Sequence, residues 1–381
     1  MTDTTTPEKQ TTQSDASAQL RVRNLQKRFD SDFAVSGVDL TVGRNEVVAL
    51  LGPSGCGKTT VLRCIAGVET PDNGEIRIDD ELVYGEGVSM QPENRDVGMV
   101  YQNYAIWPHM TVSENVRFPL DHADHDVPAG EYDERVTRML ELMEIVDVAD
   151  SPATDLSGGQ KQRTALARSL VHDPELLLLD EPLSNLDREL RKHTRYELQR
   201  IQHELGISML YVTHDQEEAF YLADRVLVMN DGAIVEAGSP TDLYERPETP
   251  FTRQFVGVRN HFSGRIERSA DGERVVRSEL VDFRLGNADY ISNGTDTGPV
   301  RCFLRPEDIE LGQFGSSADG RIELTGTVVA EGILGDSYEV TVRFGGADTE
   351  LVVHTETYQQ FDRGDEVSIQ FQPRRLQVYG V

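Results

Sequence analysis

The sequence predicts an α/β domain built on a largely parallel sheet, followed by a smaller all-β domain. Three observations carry this. Val47-Val48-Ala49-Leu50-Leu51, Leu176-Leu177-Leu178-Leu179 and Met209-Leu210-Tyr211-Val212 are continuous apolar runs too short for helices, as strands buried on both faces require. Between the last two runs, Leu190, Leu198, Ile201 and Leu205 recur at helical spacing and Gly206 is placed to end the helix. Strand, helix and strand in that order imply parallel pairing. Beyond Ser239-Pro240 the period changes to two: Tyr338, Val340, Val342 and Phe344 alternate with Glu339, Thr341 and Arg343, and Val367, Ile369 and Phe371 alternate with Glu366, Ser368 and Gln370. That pattern predicts a small antiparallel β domain or barrel.

A chain of 381 residues exceeds what one core usually organises, which favours two domains or more. Residues 1–18 are polar, almost without apolar side chains, and read as a disordered tail. The first domain is expected over residues 19–238. Its closing hairpin would be Arg225-Val226-Leu227-Val228-Met229 and Ala233-Ile234-Val235-Glu236, turned at Asn230-Asp231-Gly232. The second domain takes residues 239–381.

Asp and Glu number 66 against 37 Lys and Arg, a net charge of −29. Nucleic-acid binding relies on clustered cations that displace counterions, so this balance excludes nucleic acid as the expected partner. Lys9, Lys27, Lys58, Lys161 and Lys192 are the only lysines, and the acids are spread along the chain. This resembles a protein adapted to a high-salt cytoplasm, where a Debye length of about 3 Å at 1 M salt relieves self-repulsion. Cys56, Cys64 and Cys302 form neither an even set nor a CxxC spacing, which argues against disulfides and zinc. No apolar run reaches membrane-spanning length, so any work at a membrane needs a partner to hold the chain there.

Gly52-Pro53-Ser54-Gly55-Cys56-Gly57-Lys58-Thr59-Thr60 follows the Val47–Leu51 strand and opens a helical pattern through Val61, Leu62 and Ile65. This is the GxxxxGKT phosphate loop in its required context. Its glycines let backbone N–H groups close on phosphate oxygens, and the helix N-terminus adds partial positive charge. Lys58 is expected at the β- and γ-phosphates of ATP, and the Thr59 hydroxyl on Mg²⁺. Cys56 reads as a small residue filling a tight loop. Asp180-Glu181 ends the Leu176–Leu179 strand, where ligands bind in open α/β sheets. Asp180 is assigned to Mg²⁺ and Glu181 to polarising the attacking water.

A second loop, Leu156-Ser157-Gly158-Gly159-Gln160, also opens a helix, with Ser157 as N-cap and two glycines that allow close approach of an anion. By itself it could be a well-capped helix without a ligand.

Taken together, residues from about Leu20 to Gly238 resemble the ATP-binding cassette of ABC transporters, a P-loop NTPase fold. GPSGCGKTT at 52–60 matches Walker A, Gln102 in MVYQNYA the Q-loop, LSGGQ at 156–160 the signature and LLLLDE at 176–181 Walker B. Ser184-Asn185-Leu186-Asp187 matches the D-loop, and His214 in YVTHD the switch histidine. The resemblance implies a head-to-tail homodimer with ATP between the Walker A loop of one copy and Ser157, Gly158, Gly159 and Gln160 of the other. It further implies nucleotide contacts from Gln102 and Asp187, a Mg²⁺ contact from Gln102, and a γ-phosphate contact from His214. An aromatic usually stacks on adenine in this family; Phe29 matches best and Phe33 is a rival. Residues 104–155 would form the helical subdomain that receives a membrane subunit, with Tyr104, Ile106 and Trp107 as apolar anchors.

The C-terminal part resembles the oligonucleotide-fold-like TOBE domain of importer ATPases for sugars, polyamines, ferric iron and oxyanions, through Arg305-Pro306-Glu307-Asp308-Ile309 and Gly335-Asp336-Ser337-Tyr338. The implied protein is an importer ATPase at the cytoplasmic face of the membrane, bound to two permease subunits and served by an extracytoplasmic solute-binding protein. YAIWPHMTV leans toward ferric-iron-type importers, ahead of polyamine or sugar ones. A non-transport ABC ATPase is a competing reading, but the second cassette, coiled coil or zinc cysteines usual there are missing from this sequence. A nucleotide-sensing regulator without catalysis is another, and intact Lys58, Asp180, Glu181 and His214 weigh against it.

Overall fold

A computed structural model describes residues 18–122, 125, 127–257, 260–291, 297–312, 320–334, 337–345, 349–356 and 360–380. Most of the expected tail and the Gly335-Asp336 pair therefore lie outside the described residues. Ala18, expected in the tail, opens the first strand. The chain divides into two compact units, Met1–Pro240 and Thr241–Val381.

The first unit begins with the long strands β1 (Ala18–Phe29) and β2 (Asp32–Gly43), the short β3 (Val47–Leu51) and helix α1 (Lys58–Ala66). Next come β4 (Asn73–Ile78), β5 (Glu81–Gly85), β6 (Val88–Ser89) and β7 (Val97–Val100). Helices α2 (Val112–His122), α3 (Tyr132–Leu142) and α4 (Gly158–Leu170) lead to β8 (Leu176–Asp180), α5 (Arg188–Leu205), β9 (Ser208–Thr213), α6 (Gln216–Leu222), β10 (Arg225–Asn230) and β11 (Ala233–Gly238).

One sheet has the order β11-β10-β3-β9-β8-β7. Its β10, β3, β9, β8 and β7 pair in parallel. Every residue of β3, β8 and β9 is buried, which is why their sequences run apolar without alternation. Helix α5 ends where Gly206 turns left-handed at φ 63°. The β10–β11 turn has positive φ at both Asp231 and Gly232, the geometry that suits a tight hairpin.

A second sheet, β2-β1-β4-β5-β6, is antiparallel. The expectation of a largely parallel domain did not include it. Its apolar side chains, among them Leu20, Val22, Leu40 and Ile76, join those of β3 and α1 in one core. A separate core gathers Val112, Val116, Leu140, Leu166 and Leu170 with Leu177 and Leu179, anchoring α2, α3 and α4 to the parallel sheet.

The second unit contains α7 (Pro240–Glu245), which straddles its start, α8 (Pro250–Phe255), and strands β12 (Asn260–Arg268), β13 (Arg274–Ser278), β14 (Phe283–Arg284), β15 (Asp289–Ile291), β16 (Gly298–Leu304), β17 (Glu310–Gly312), β18 (Ile322–Ile333), β19 (Tyr338–Arg343), β20 (Glu350–Thr355), β21 (Glu366–Phe371) and β22 (Gln377–Gly380). They form two sheets, β14-β13-β12-β16-β22-β15 and β17-β21-β18-β19-β20. All pairings are antiparallel except β15 with β22. Their inward residues, including Phe262, Val300, Val340, Val342, Ile369 and Phe371, share one core, as the period-two pattern requires.

Candidate functional site

The parallel register sets the site. Leu51 at the end of β3 pairs with Thr213 at the end of β9, and Asp180 at the end of β8 pairs with Val212. The phosphate loop, the acidic pair and His214 therefore leave the sheet along one rim.

In the loop, Gly57 has φ 105°, and a Cβ there would stand 2.1 Å from the Ala34 carbonyl oxygen. A Cβ at Gly52 would lie 2.3 Å from the Met229 carbonyl oxygen. Both positions demand glycine for different reasons, left-handed backbone at the first and close strand approach at the second. Ser54 and Gly55 face solvent, while Cys56 is buried. Burial pushes the Cys56 thiol up, which fits a filler rather than a nucleophile. Lys58 is buried, and its Nζ donates to the carbonyl oxygens of Gly52 at 2.8 Å and Pro53 at 2.9 Å.

ATP and Mg²⁺ fit these residues. The N-terminus of α1, from Lys58 through Thr59 and Thr60, has no acidic residue in its first turn and no side-chain cap, so its amides are left for an anion. The Thr59 hydroxyl donates to Asp180 Oδ1 at 2.8 Å. One hydroxyl and one carboxylate side by side are oxygen donors that would suit Mg²⁺ bound with a triphosphate. Asp180 is 3% exposed; burial raises its pKa and the Thr59 hydrogen bond opposes that rise.

Glu181 has a left-handed backbone, φ 45°, and its amide donates to the Val212 carbonyl at 3.0 Å. Its Oε2 lies 3.0 Å from His214 Nδ1 and accepts from Gln102 Nε2 at 3.4 Å. Three residues 33 or more positions apart in sequence thus meet at one carboxylate. Two D-loop residues, whose contact with Gln102 the sequence did not disclose, hold it there. Ser184 Oγ is 3.4 Å from Gln102 Nε2 and donates to the Glu181 carbonyl at 2.9 Å, and Asn185 Nδ2 donates to the Gln102 carbonyl at 2.8 Å.

The second loop is a capped helix start. Ser157 Oγ accepts from the Gln160 amide at 3.3 Å, and Gln160 Oε1 accepts from the Ser157 amide at 2.9 Å. The Gln160 side chain is therefore committed to the capping box. Asp187 likewise caps α5, accepting from the Leu190 amide at 2.9 Å. A Cβ on Gly159 would come within 3.3 Å of Leu190, and one on Gly158 within 3.8 Å of Leu186, so the signature stands against the D-loop. Among the described residues, no hydrogen bond or ion pair joins Ser157–Gln160 to the phosphate loop of the same chain.

Phe29 and Phe33 are both about half exposed, 48% and 50%. Each lies under a cation, Lys27 for Phe29 and Arg28 for Phe33, so the geometry does not choose between them as the adenine platform. Tyr104 is buried in the helical-subdomain core and does not serve as an exposed anchor. Trp107 is half-buried, packed on Phe118 with ring centroids 4.0 Å apart and covered by Arg168. Arg168 donates to the Tyr104 and Ala105 carbonyls, fixing two consecutive left-handed residues just beyond Gln102.

Behind His214 lies a buried polar network that the sequence did not disclose. Glu218 Oε2 accepts from the hydroxyls of Thr213 at 2.7 Å and Tyr211 at 2.9 Å. Arg191 reaches Glu218 Oε1 at 3.7 Å and Asp215 Oδ2 at 3.4 Å, and donates to the Leu186 carbonyl at 3.1 Å. This chain of contacts runs from the D-loop to the backbone that carries the switch histidine. Only the cap signal at Asp215, three residues before Glu218, was available in the sequence.

A phosphate loop on the central strand, a hydroxyl–carboxylate pair beside it and a glutamate in contact with a histidine and a glutamine make the arrangement of a nucleoside-triphosphate-binding cassette. Residues 35–184 match the ABC transporter family and residues 302–378 the TOBE domain. The chain is 43% identical over 354 residues to the spermidine/putrescine import ATP-binding protein PotA of Thermobifida fusca, covering 91% of this chain and 88% of that protein. It is 37% identical over 369 residues to the xylose/arabinose import ATP-binding protein XacJ of Haloferax volcanii, covering 95% and 93%. Against the Fe(3+) ions import ATP-binding protein FbpC of Photorhabdus laumondii the identity is 39% over 355 residues, covering 93% and 95%. Among solved structures, cbiO1 of Clostridium perfringens, part of the transporter complex cbiONQ, aligns with a TM-score of 0.54 at 29% identity, covering 60% of this chain and 92% of that one. A dimeric ATP-binding cassette in a post-hydrolysis state with ADP and Pi aligns with a TM-score of 0.51 at 27% identity, covering 58% and 98%. The chain belongs to the ABC transporter family, as one of its ATP-binding subunits with a C-terminal TOBE domain.

Proposed function

We infer that this chain is the ATP-hydrolysing subunit of a solute importer. It works as a head-to-tail pair of copies beneath two permease subunits at the cytoplasmic face of the membrane, with a solute-binding protein outside. The observation that carries the reading is the meeting of Gln102, Glu181 and His214 on the rim that also holds Lys58, Thr59 and Asp180. The dimeric cassette among the similar structures supports the pairing, and the relatives named as import subunits support the transport role. Among the described residues no helix is long and apolar enough to cross a membrane, in keeping with attachment through permeases.

In this reading the α1 amides and Lys58 bind the triphosphate, with Lys58 exchanging its two carbonyl acceptors for phosphate oxygens. Thr59 and Asp180 would hold Mg²⁺ together with Gln102, and the bound ion would neutralise charge on the β- and γ-phosphates. Glu181 accepts a proton-side hydrogen bond from the attacking water, and His214 orients that carboxylate and contacts the γ-phosphate. Ser157, Gly158 and Gly159 supply the partner copy's half of the pocket, since the cap occupies the Gln160 amide and leaves the Gly158 and Gly159 amides at the helix start for an anion. Loss of the bridging phosphate on hydrolysis then releases the pair. The named cargoes of the relatives are polyamines, pentoses and ferric ions, so the solute is chosen by other subunits.

Glu181→Gln tests this. It should keep ATP affinity within about threefold, lower turnover by at least about a hundredfold, and give an ATP-dependent dimer by size exclusion. Full turnover in that variant, or a monomer with ATP at saturation, would overturn the assignment.

A further inference from the structure

The second unit contains a cavity of about 420 Å³ that the nucleotide chemistry does not use. Arg246, Arg253, Arg305, Arg374 and Arg375 line it, against the carboxylates of Glu245, Glu307 and Asp308. A cationic excess at one place is notable in a chain of net charge −29. The carboxylates do not neutralise it evenly. Glu307 accepts from Tyr244 Oη at 3.1 Å and from Arg305 at 3.5 Å, and Asp308 pairs with Arg375 at 3.4 Å.

Arg253 is the decisive residue. It is 2% exposed, its Nη1 donates to the Tyr244 carbonyl at 3.2 Å, and its Nε is buried without a hydrogen-bond partner. Among the described residues it makes no direct ion pair; the Arg305 cation repels it, and the Asp308 and Glu307 carboxylates only partly offset that repulsion. Burial brings its pKa down to about 10, so it remains charged at neutral pH. A buried guanidinium with an unsatisfied N–H and no carboxylate in direct contact is costly unless something supplies the missing acceptor and opposite charge. Arg246 and Arg374 are exposed at the same cavity and have no ion-pair partner among the described residues. Planar guanidinium groups are well matched to carboxylate and phosphate oxygens.

We propose that this cavity is a binding site for a small polyanion bearing phosphate or carboxylate groups, with Arg253 as its buried contact and Arg246 and Arg374 as its exposed ones. The site lies wholly within residues 244–377 and is separate from the phosphate loop.

The test is titration calorimetry on the full-length chain carrying Lys58→Ala, which removes the loop's own phosphate grip, with pyrophosphate and citrate as probes at matched ionic strength. One molecule of at least one probe should bind per chain, and adding Arg246→Ala with Arg374→Ala should weaken it by at least about tenfold, as loss of charge-assisted contacts predicts. Binding of pyrophosphate alone assigns the site to phosphate esters, and of citrate alone to polycarboxylates. Arg253→Met should abolish binding; if it does not fold, the exposed pair still decides the matter. No saturable binding of either probe at about 10 mM, weaker than any useful affinity, overturns the proposal. So does binding that the Arg246 and Arg374 changes leave untouched.

Discussion

Glu181 holds a backbone conformation that suits glycine far better than glutamate, at the point where β8 hands the chain to the D-loop. Strain of that kind persists where surrounding contacts over-determine it, here the Val212 carbonyl, His214 and Gln102. Glu218 supports the same point from behind. Burial raises its pKa, and the hydrogen bonds from Thr213 and Tyr211 oppose that rise. We expect Glu218→Gln to act through position rather than chemistry, lowering kcat by about tenfold while the KM for ATP moves less than about twofold. Glu218→Asp should restore part of the rate; a kcat unchanged in Glu218→Gln removes the residue from any positioning role. The phosphate loop and the acidic pair were legible in the sequence because their residues are contiguous and their strands unmistakable. Glu218 and Arg191 were not, nor was the hold of the D-loop residues Ser184 and Asn185 on Gln102, because their meaning lies in contacts between segments, which no spacing encodes. Gln160 and Asp187 were legible by position, but their side chains prove to be caps.

At the scale of elements, continuous apolar runs announced β3, β8 and β9, and Gly206 announced the end of α5. The β1–β2 ribbon was harder to read. Register shifts interrupt β1 at Ala18/Leu20, Val22/Leu25, Leu25/Gln26 and Lys27/Arg28, so the alternation that marks a strand is broken four times. The link from α4 to β8 yields a prediction. His172 lies there with its Nδ1 buried and unpartnered, and burial, aided by His125, lowers its pKa to about 4. The folded state thus binds this proton less readily than the unfolded chain. The stability it protects is present above the ordinary histidine pKa of about 6.5 and is lost as pH falls toward 4. Between pH 7 and pH 5 the native chain should lose about 2 kcal/mol that His172→Gln does not. Urea unfolding at those two pH values measures it, and parallel losses in both proteins would rule the mechanism out.

For the molecule as a whole, the charge of −29 is the dominant feature outside the site. Raising KCl from about 0.1 M to about 1 M shortens the Debye length from roughly 10 Å to 3 Å and should raise the melting temperature by several degrees. A midpoint that stays level or falls would show that self-repulsion is not limiting stability. The change of hydrophobic period beyond Ser239 was legible, and the contact boundary falls after Pro240. That the second unit consists of two sheets around one core was not, since period two tells which face is buried but not which strand lies beside which. The level ends of β3, β9 and β8 carry a last consequence. Because side chains alternate along a strand, adding or deleting one residue within β8 would turn Asp180 to the other face of the sheet, away from the Thr59 hydroxyl. Evolution can therefore retune this engine by exchanging letters, but not by changing the length of the words that spell its three innermost strands.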